Sequence, residues 1–320
     1  MYNINTIKTL QKKLNNTINT KYEDIIEVSN VLYEVMNEYY EDKYIKQDIE
    51  AQKGICKISK EVTNKLYESL VKLSKKVEIG NKPNRDVEEF KGLFSQIDEI
   101  YDKFFAMSAR RDLEQFAFYM EISKKKKVWA KTMSTMRTCF FYGSKIVNEK
   151  SFKLLRISCM PGLGKSYFGN LLVANAIGND PNLPVLRITY SEDLVEITTK
   201  QTKAIIDSAA FRRVFPRYAN IKEGDIFKLS RTDSFVMCDC EDESQYYGVT
   251  RDGQLTGKRA MLVVIDDLLK GESEANNVGL HQQLLDRYDS DWSSRADGDE
   301  QQTVLLGTMW ADTDMLNRLL

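Results

Sequence analysis

The stretch Leu154-Leu-Arg-Ile-Ser-Cys-Met-Pro-Gly-Leu-Gly-Lys-Ser166 decides how this chain is read. Its first half, Leu154–Cys159, is a short apolar run with the length of a buried strand. Its second half is a proline–glycine turn ending in Gly-Lys-Ser, and an apolar helical stretch, Lys165–Ile177, follows. A strand, a glycine turn and a helix in that order suit a phosphate ligand. Backbone N–H groups of the turn and of the helix N-terminus can surround phosphate oxygens. Pro161, Gly162, Leu163 and Gly164 are the expected cradle, with Gly162 and Gly164 letting the backbone come close. Lys165 would reach the β- and γ-phosphates, and the Ser166 hydroxyl would bind Mg²⁺. The usual spacing, G-x-x-x-x-G-K-[ST], asks for glycine at position 159, where this chain has Cys159.

Working outward, the same alternation continues. Val185–Tyr190, Phe235–Cys240, Met261–Ile265 and Thr303–Leu306 read as further strands. Asp193–Phe211 and Asn277–Asp289 read as helices. Continuous apolar strands alternating with amphipathic helices predict an α/β fold, a mostly parallel sheet covered on both faces. The run Met261-Leu-Val-Val-Ile-Asp-Asp267 carries two acids at the C-terminal tip of its strand, the edge where open parallel sheets bind ligands. Asp266 is expected to hold the Mg²⁺ water shell and Asp267 to orient or deprotonate an attacking water. The other reading of this pair is two surface acids after a strand.

Before residue 150 the chain reads as helical. Ile25, Ile26, Val28, Leu32, Val35 and Met36, then Leu66, Leu70 and Leu73, recur at helical spacing, and no proline precedes Pro83. Gly80–Asn84 is a break, and helices are expected over residues 87–107 and 128–147. The domain division expected is 1–107 for an all-helical N-terminal region and 108–320 for the α/β domain. The N-terminal region is read as a helical bundle, with a binding role as the alternative. Lys124–Lys127 is either a solvated charged face or a phosphate-contacting segment.

Composition removes other chemistries. The chain has 320 residues, 42% hydrophobic and 29% charged, with a net charge of −1. Residues 1–150 carry 27 basic against 22 acidic side chains and residues 151–320 carry 19 against 25, so a basic front precedes an acidic back. The single histidine, His281, excludes a multi-histidine metal site and leaves any catalytic triad to rest on it alone. The five cysteines include no C-x-x-C pair, which argues against a disulfide framework or a zinc knuckle. Cys238 and Cys240 read as apolar strand filler, the alternative being metal ligands. No apolar run approaches ~18 residues, so no membrane span is expected. The N-terminus, MYNINTIKTLQKK, lacks the apolar core of a signal peptide.

From about residue 150 onward the chain resembles the ATPase domain of large terminase subunits, the DNA-packaging motors of tailed bacteriophages. Cys159-Met-Pro-Gly-Leu-Gly-Lys-Ser166 is similar to that family's altered Walker A, in which proline often replaces the first glycine. Ile188–Pro216 is similar to its strand ending in Ser-Tyr-Ser, long helix and Phe-Pro. Gly248 and the segment Gly253–Gly271 resemble its glycine-containing turn, Thr-Gly and Walker B. Leu305–Leu320 resembles its coupling motif, usually T-R-W-x-x-x-D-L. Two departures stand out: Met309 occupies the arginine position, and Asp267 stands where many relatives have glutamate.

The resemblance implies a P-loop NTPase fold and an ATP- and Mg²⁺-dependent motor driving double-stranded DNA into a procapsid. Its implied partners are the portal protein and the small terminase subunit, in a homo-oligomeric ring in the host cytoplasm. Thr308 would sense the γ-phosphate. A neighbouring subunit would supply an arginine, with Arg259 and Arg251 the candidates and Arg295 behind them. The family's C-terminal nuclease is expected to be absent, the sequence being read as a truncated or natural fragment that does not cut DNA. The alternatives are another nucleic-acid P-loop ATPase, a helicase or helicase loader, and a non-hydrolysing nucleotide-dependent scaffold. Either ATPase alternative would share Lys165, Ser166 and Asp266 but lack the Ser-Tyr-Ser-like and Thr-Gly segments.

Overall fold

The structure, a computed structural model, describes residues 8–9, 12, 22–40, 57, 59–72, 85–121, 129–242, 244–255, 257–293 and 301–319. Lys124–Lys127, Arg295, Leu73, Cys56, the break Gly80–Asn84 and the N-terminal run of residues 1–7 lie outside them. The chain divides into two compact units, Met1–Ser108 with Arg213–Arg217, and Ala109–Arg212 with Tyr218–Leu320.

In the first unit, helical spacing of apolar residues becomes, among the described residues, the packed helices α1 (Tyr22–Tyr40), α2 (residues 59–72) and α3 (Arg85–Arg111). Ile25, Val28, Leu32, Val35 and Met36 of α1 meet Val62, Leu66 and Leu70 of α2. Leu93, Ile97, Ile100 and Phe104 of α3 complete the cluster. Polar pairs fix the register at its rim. The Ser29 hydroxyl donates to Gln96 Oε1 at 3.0 Å and the Tyr101 hydroxyl to Asn64 Oδ1 at 2.6 Å.

The second unit opens with α4 (Leu113–Glu121) and α5 (Trp129–Glu149), then builds a mixed, mostly parallel sheet with flanking helices. Its elements in chain order are β1 (Leu154–Ser158), α6 (Lys165–Asn179), β2 (Val185–Thr189), α7 (Glu192–Ile206) and α8 (Ala209–Val214). There follow β3 (Phe227–Ser230), β4 (Ser234–Met237), β5 (Tyr246–Thr250), β6 (Leu262–Asp266), α9 (Glu272–Ala275), α10 (Val278–Arg287), β7 (Gln302–Gly307) and α11 (Met315–Arg318). The seven strands run in the order β1-β7-β6-β2-β5-β4-β3. The first five are parallel; β3 and β4 close the far edge antiparallel. Every residue of β2, β6 and β7 is buried, as expected of strands covered on both faces.

Several sequence expectations shift. The strand expected over Phe235–Cys240 ends at Met237, because Cys240 N–H bonds back to Met237 O at 3.2 Å and turns the chain. Cys238 and Cys240 therefore follow the strand rather than fill it. The strand is also antiparallel to its neighbours, Phe235 stacking on Tyr246 of β5 at 4.5 Å. The helix expected over Asp193–Phe211 is two helices: α7 stops at Ile206, and the Ser208 hydroxyl accepts Phe211 N–H to start α8. Gly248, read as part of a turn, lies inside β5. A Cβ there would stand 2.7 Å from Val195 Cγ1 of the crossing helix α7. Among the described residues no helix is long and apolar enough to cross a membrane.

Candidate active site

The loop after β1 owes its shape to two residues that side chains would strain. Gly162 and Gly164 have φ of 83° and 89°. Gly164 is the N-cap of α6 and offers no side chain to its first turn, so the N–H groups at that end have no side-chain cap. Pro161 and Gly162 are exposed at the loop's crest, while Leu163 and Gly164 are half-buried. Lys165, only 7% exposed, folds back over the loop. Its Nζ donates to Cys159 O at 2.9 Å, Met160 O at 3.2 Å and Thr308 Oγ1 at 3.1 Å. The Thr308 hydroxyl in turn donates to Cys159 O at 3.2 Å. Because β7 lies between β1 and β6, its end brings Thr308 between the loop and the β6 acids. Burial raises the Cys159 thiol above its ordinary value, with Lys165 opposing, which disfavours a thiolate there.

Asp266 ends β6 and is 2% exposed. Its Oδ1 accepts the Ser166 hydroxyl at 3.4 Å, and its Oδ2 lies 2.5 Å from Nη2 of Arg187, a guanidinium with no solvent exposure. Asp267 follows in a left-handed conformation, φ 55°, with its N–H bonded to Leu306 O of β7 at 3.0 Å. That conformation turns the chain sharply off the strand, and aspartate is one of the few non-glycine residues that adopt it readily. Burial, then the charge of Asp266, pushes the Asp267 carboxyl above the ordinary aspartate value, with Lys165 pulling the other way. A carboxyl so poised is suited to accept a proton.

The structure thus brings together Lys165, Ser166, Asp266, Asp267 and Thr308, from three elements far apart in sequence. Ser166 Oγ and Asp266 Oδ1 are hard oxygen donors that face one another, the donor chemistry of a cation that retains most of its waters. The protein alone supplies no cage: among the described residues no group of three or more His, Cys, Asp or Glu could hold a metal.

The arginines differ. Arg251 forms a two-pronged pair with Glu274 at 2.7 and 2.8 Å, and its Nη1 also donates to Leu268 O. Hydrogen bonding from Arg251 holds Glu274 at about 2, well below an ordinary glutamate. As seen, this guanidinium clamps the turn after Asp267 in its own chain. Arg259 is exposed. His281 is buried with its Nδ1 2.8 Å from Thr313 Oγ1, and its Nε2 meets no hydrogen-bond partner, so no serine or cysteine is paired with it among the described residues.

Sequence reasoning missed Arg187 and Asn170. Arg187 Nη1 donates to Asn170 Oδ1 one turn into α6, and Nη2 also donates to Ser166 O at 3.3 Å. The signal was present as a lone arginine inside the strand Val-Leu-Arg-Ile-Thr, which must find buried partners. The chain matches no protein-family model, and no curated protein is significantly similar to it.

Proposed function

We propose that the α/β unit is a P-loop ATPase that binds ATP with Mg²⁺ and hydrolyses it to move double-stranded DNA into a procapsid. The observation that carries the ATPase reading is the convergence of Lys165, Ser166, Asp266, Asp267 and Thr308 at one end of neighbouring parallel strands. Phosphoryl transfer asks a protein mainly for positioning and for positive charge around the phosphates, which is what these residue types supply. Lys165 leaves its three oxygen partners to meet the β- and γ-phosphates, while loop and helix N–H groups hold the remaining oxygens. Ser166 and Asp266 would hold Mg²⁺, which supplies charge neutralisation when bound. Asp267 orients water and takes its proton, and its raised pKa favours that role. Thr308, bonded to both the lysine and the loop, would register loss of the γ-phosphate.

The DNA-packaging part of the proposal rests on the resemblance to large terminase subunits, as do the portal protein, the small terminase subunit, the homo-oligomeric ring and the host cytoplasm. In a ring, an arginine of one subunit would face its neighbour's ATP. Arg259 suits that role by its exposure, and Arg251, bound to Glu274 in its own chain, would have to release it. Phosphate release from Mg-ATP, measured with and without linear double-stranded DNA, tests the reading. Hydrolysis stimulated by double-stranded DNA is the expected result. Stimulation by single strands alone would favour a helicase, and binding without hydrolysis a scaffold.

A further inference from the structure

We propose that Arg187 is a positioning residue that fixes the rotation of the Asp266 carboxylate and so sets the protein's affinity for the cation that accompanies the nucleotide. The proposal rests on the Mg-ATP reading above. Arg187 sits mid-strand in β2, next to β6, with no solvent exposure. A buried guanidinium is costly unless its N–H groups are met; here Nη1 and Nη2 are met by the site itself, while Nε finds no partner among the described residues. Nη2 holds Asp266 Oδ2 at 2.5 Å and the Ser166 carbonyl at 3.3 Å, and Nη1 holds Asn170 Oδ1. Asn170 is fixed in turn: its Nδ2 donates to Gln201 Oε1 at 2.8 Å, and the Thr202 hydroxyl donates to its Oδ1 at 3.4 Å.

The carboxylate torsion of aspartate is broad and nearly two-fold, so an unrestrained Asp266 would offer either oxygen to Ser166. With Oδ2 bound to Arg187, only Oδ1 faces the Ser166 hydroxyl. One guanidinium thereby sets the carboxylate of one cation-holding residue and the backbone of the other. Helix α6 is also thinned where it crosses the guanidinium and β7: a Cβ on Gly169 would stand 3.1 Å from Nη2 and 3.6 Å from Cζ of Arg187, and 3.0 Å from Leu306 Cδ1. Stability alone does not account for such a pair, since buried ion pairs are commonly replaceable by apolar residues at no cost.

The test is equilibrium binding of a fluorescent ATP analogue to the full chain, in EDTA and across a Mg²⁺ titration. Wild type is compared with Arg187→Met, Arg187→Lys and Gly169→Ala, and melting temperatures are recorded alongside. Residues that orient metal-holding groups are commonly worth about 10- to 100-fold in metal affinity. Arg187→Met should therefore raise the Mg²⁺ concentration for half-saturation about tenfold or more while changing affinity in EDTA little. Arg187→Lys should recover part of that loss, keeping the charge but not the fork. If Arg187→Met does not fold, Gly169→Ala, which pushes on the guanidinium without removing it, should still raise the half-saturation concentration severalfold. A folded Arg187→Met that melts lower but keeps the wild-type Mg²⁺ midpoint overturns the proposal, as does an unchanged midpoint in Gly169→Ala when only that variant folds. A wild-type chain that binds no ATP analogue removes the ATPase reading, and this inference with it.

Discussion

At the scale of single residues, the two adjacent acids are expected to behave differently because their surroundings differ. Asp266 is pinned between Ser166 and Arg187, whereas Asp267 is half-buried, left-handed and held above its ordinary pKa. Asp267→Asn should leave Mg-ATP binding nearly intact and stop hydrolysis, since asparagine tolerates the left-handed backbone but accepts no proton. Asp266→Asn should instead weaken Mg²⁺-dependent binding; binding and single-turnover measurements on both variants check this. The raised pKa has a pH consequence whose sign follows from proton counting. Folded Asp267 holds its proton to higher pH than the unfolded chain does, so its contribution to stability falls as pH rises through the interval above the ordinary value of 3.8. Asp267→Asn should accordingly raise the melting temperature at neutral pH, and the gain should shrink as pH approaches 4, as thermal melts can follow. Both acids and Lys165 were legible in sequence because a glycine turn before a helix and an apolar strand ending in acids each imply a geometry. Arg187 was not, since its partners lie in elements that only the fold brings together.

At the scale of elements, the turn from Asp267 to Gly271 is braced by helix α9. Glu274 accepts Lys270 N–H at 2.8 Å and the two prongs of Arg251, whose own N–H donates to Thr189 O at the end of β2. Glu274→Gln should therefore destabilise the fold by about 1.5 kcal/mol at neutral pH, the usual size for hydrogen bonds to charged groups. Glu274 is depressed to about 2, so its stabilisation is present above the ordinary glutamate value of 4.5 and is lost as pH falls toward 2. Urea melts of wild type and variant across that range should converge at the acid end. The short, apolar-rich runs of β1, β2, β6 and β7 made these strands readable, and helices α6 and α10 kept nearly their expected limits. The edge was harder. β3 alternates half-buried and exposed residues over only four positions, and β5 holds a glycine that local chemistry assigns to a turn. What makes Gly248 a strand residue is helix α7 pressing on it, a contact made across the sheet and not along the chain.

At the scale of the whole molecule, the question is whether one copy of the chain is a complete catalyst. Arg251 is bound to Glu274 in its own chain, and among the described residues the site's cations are Lys165 at the loop and Arg187 beside Asp266. If a neighbour's arginine completes it, hydrolysis per subunit should rise steeply with protein concentration, by up to about 10³-fold between separated and assembled chains. Arg259→Ala should flatten that rise, while a rate that stays high on dilution would remove the case for a trans-acting arginine. The N-terminal helical unit contributes none of the five site residues, and its described helices pack on one another around Leu32, Leu66 and Ile97. The account as a whole stands on the Gly164-Lys165-Ser166 turn being a triphosphate cradle, and phosphate release from Mg-ATP by wild type and Lys165→Ala tests that most directly. The predicted result is measurable turnover in wild type and a loss of about 10²-fold or more in the variant, measured below the variant's own melting temperature so that the loss is read on folded protein. Equal turnover in the two proteins, or none in wild type at any protein or DNA concentration, would contradict it.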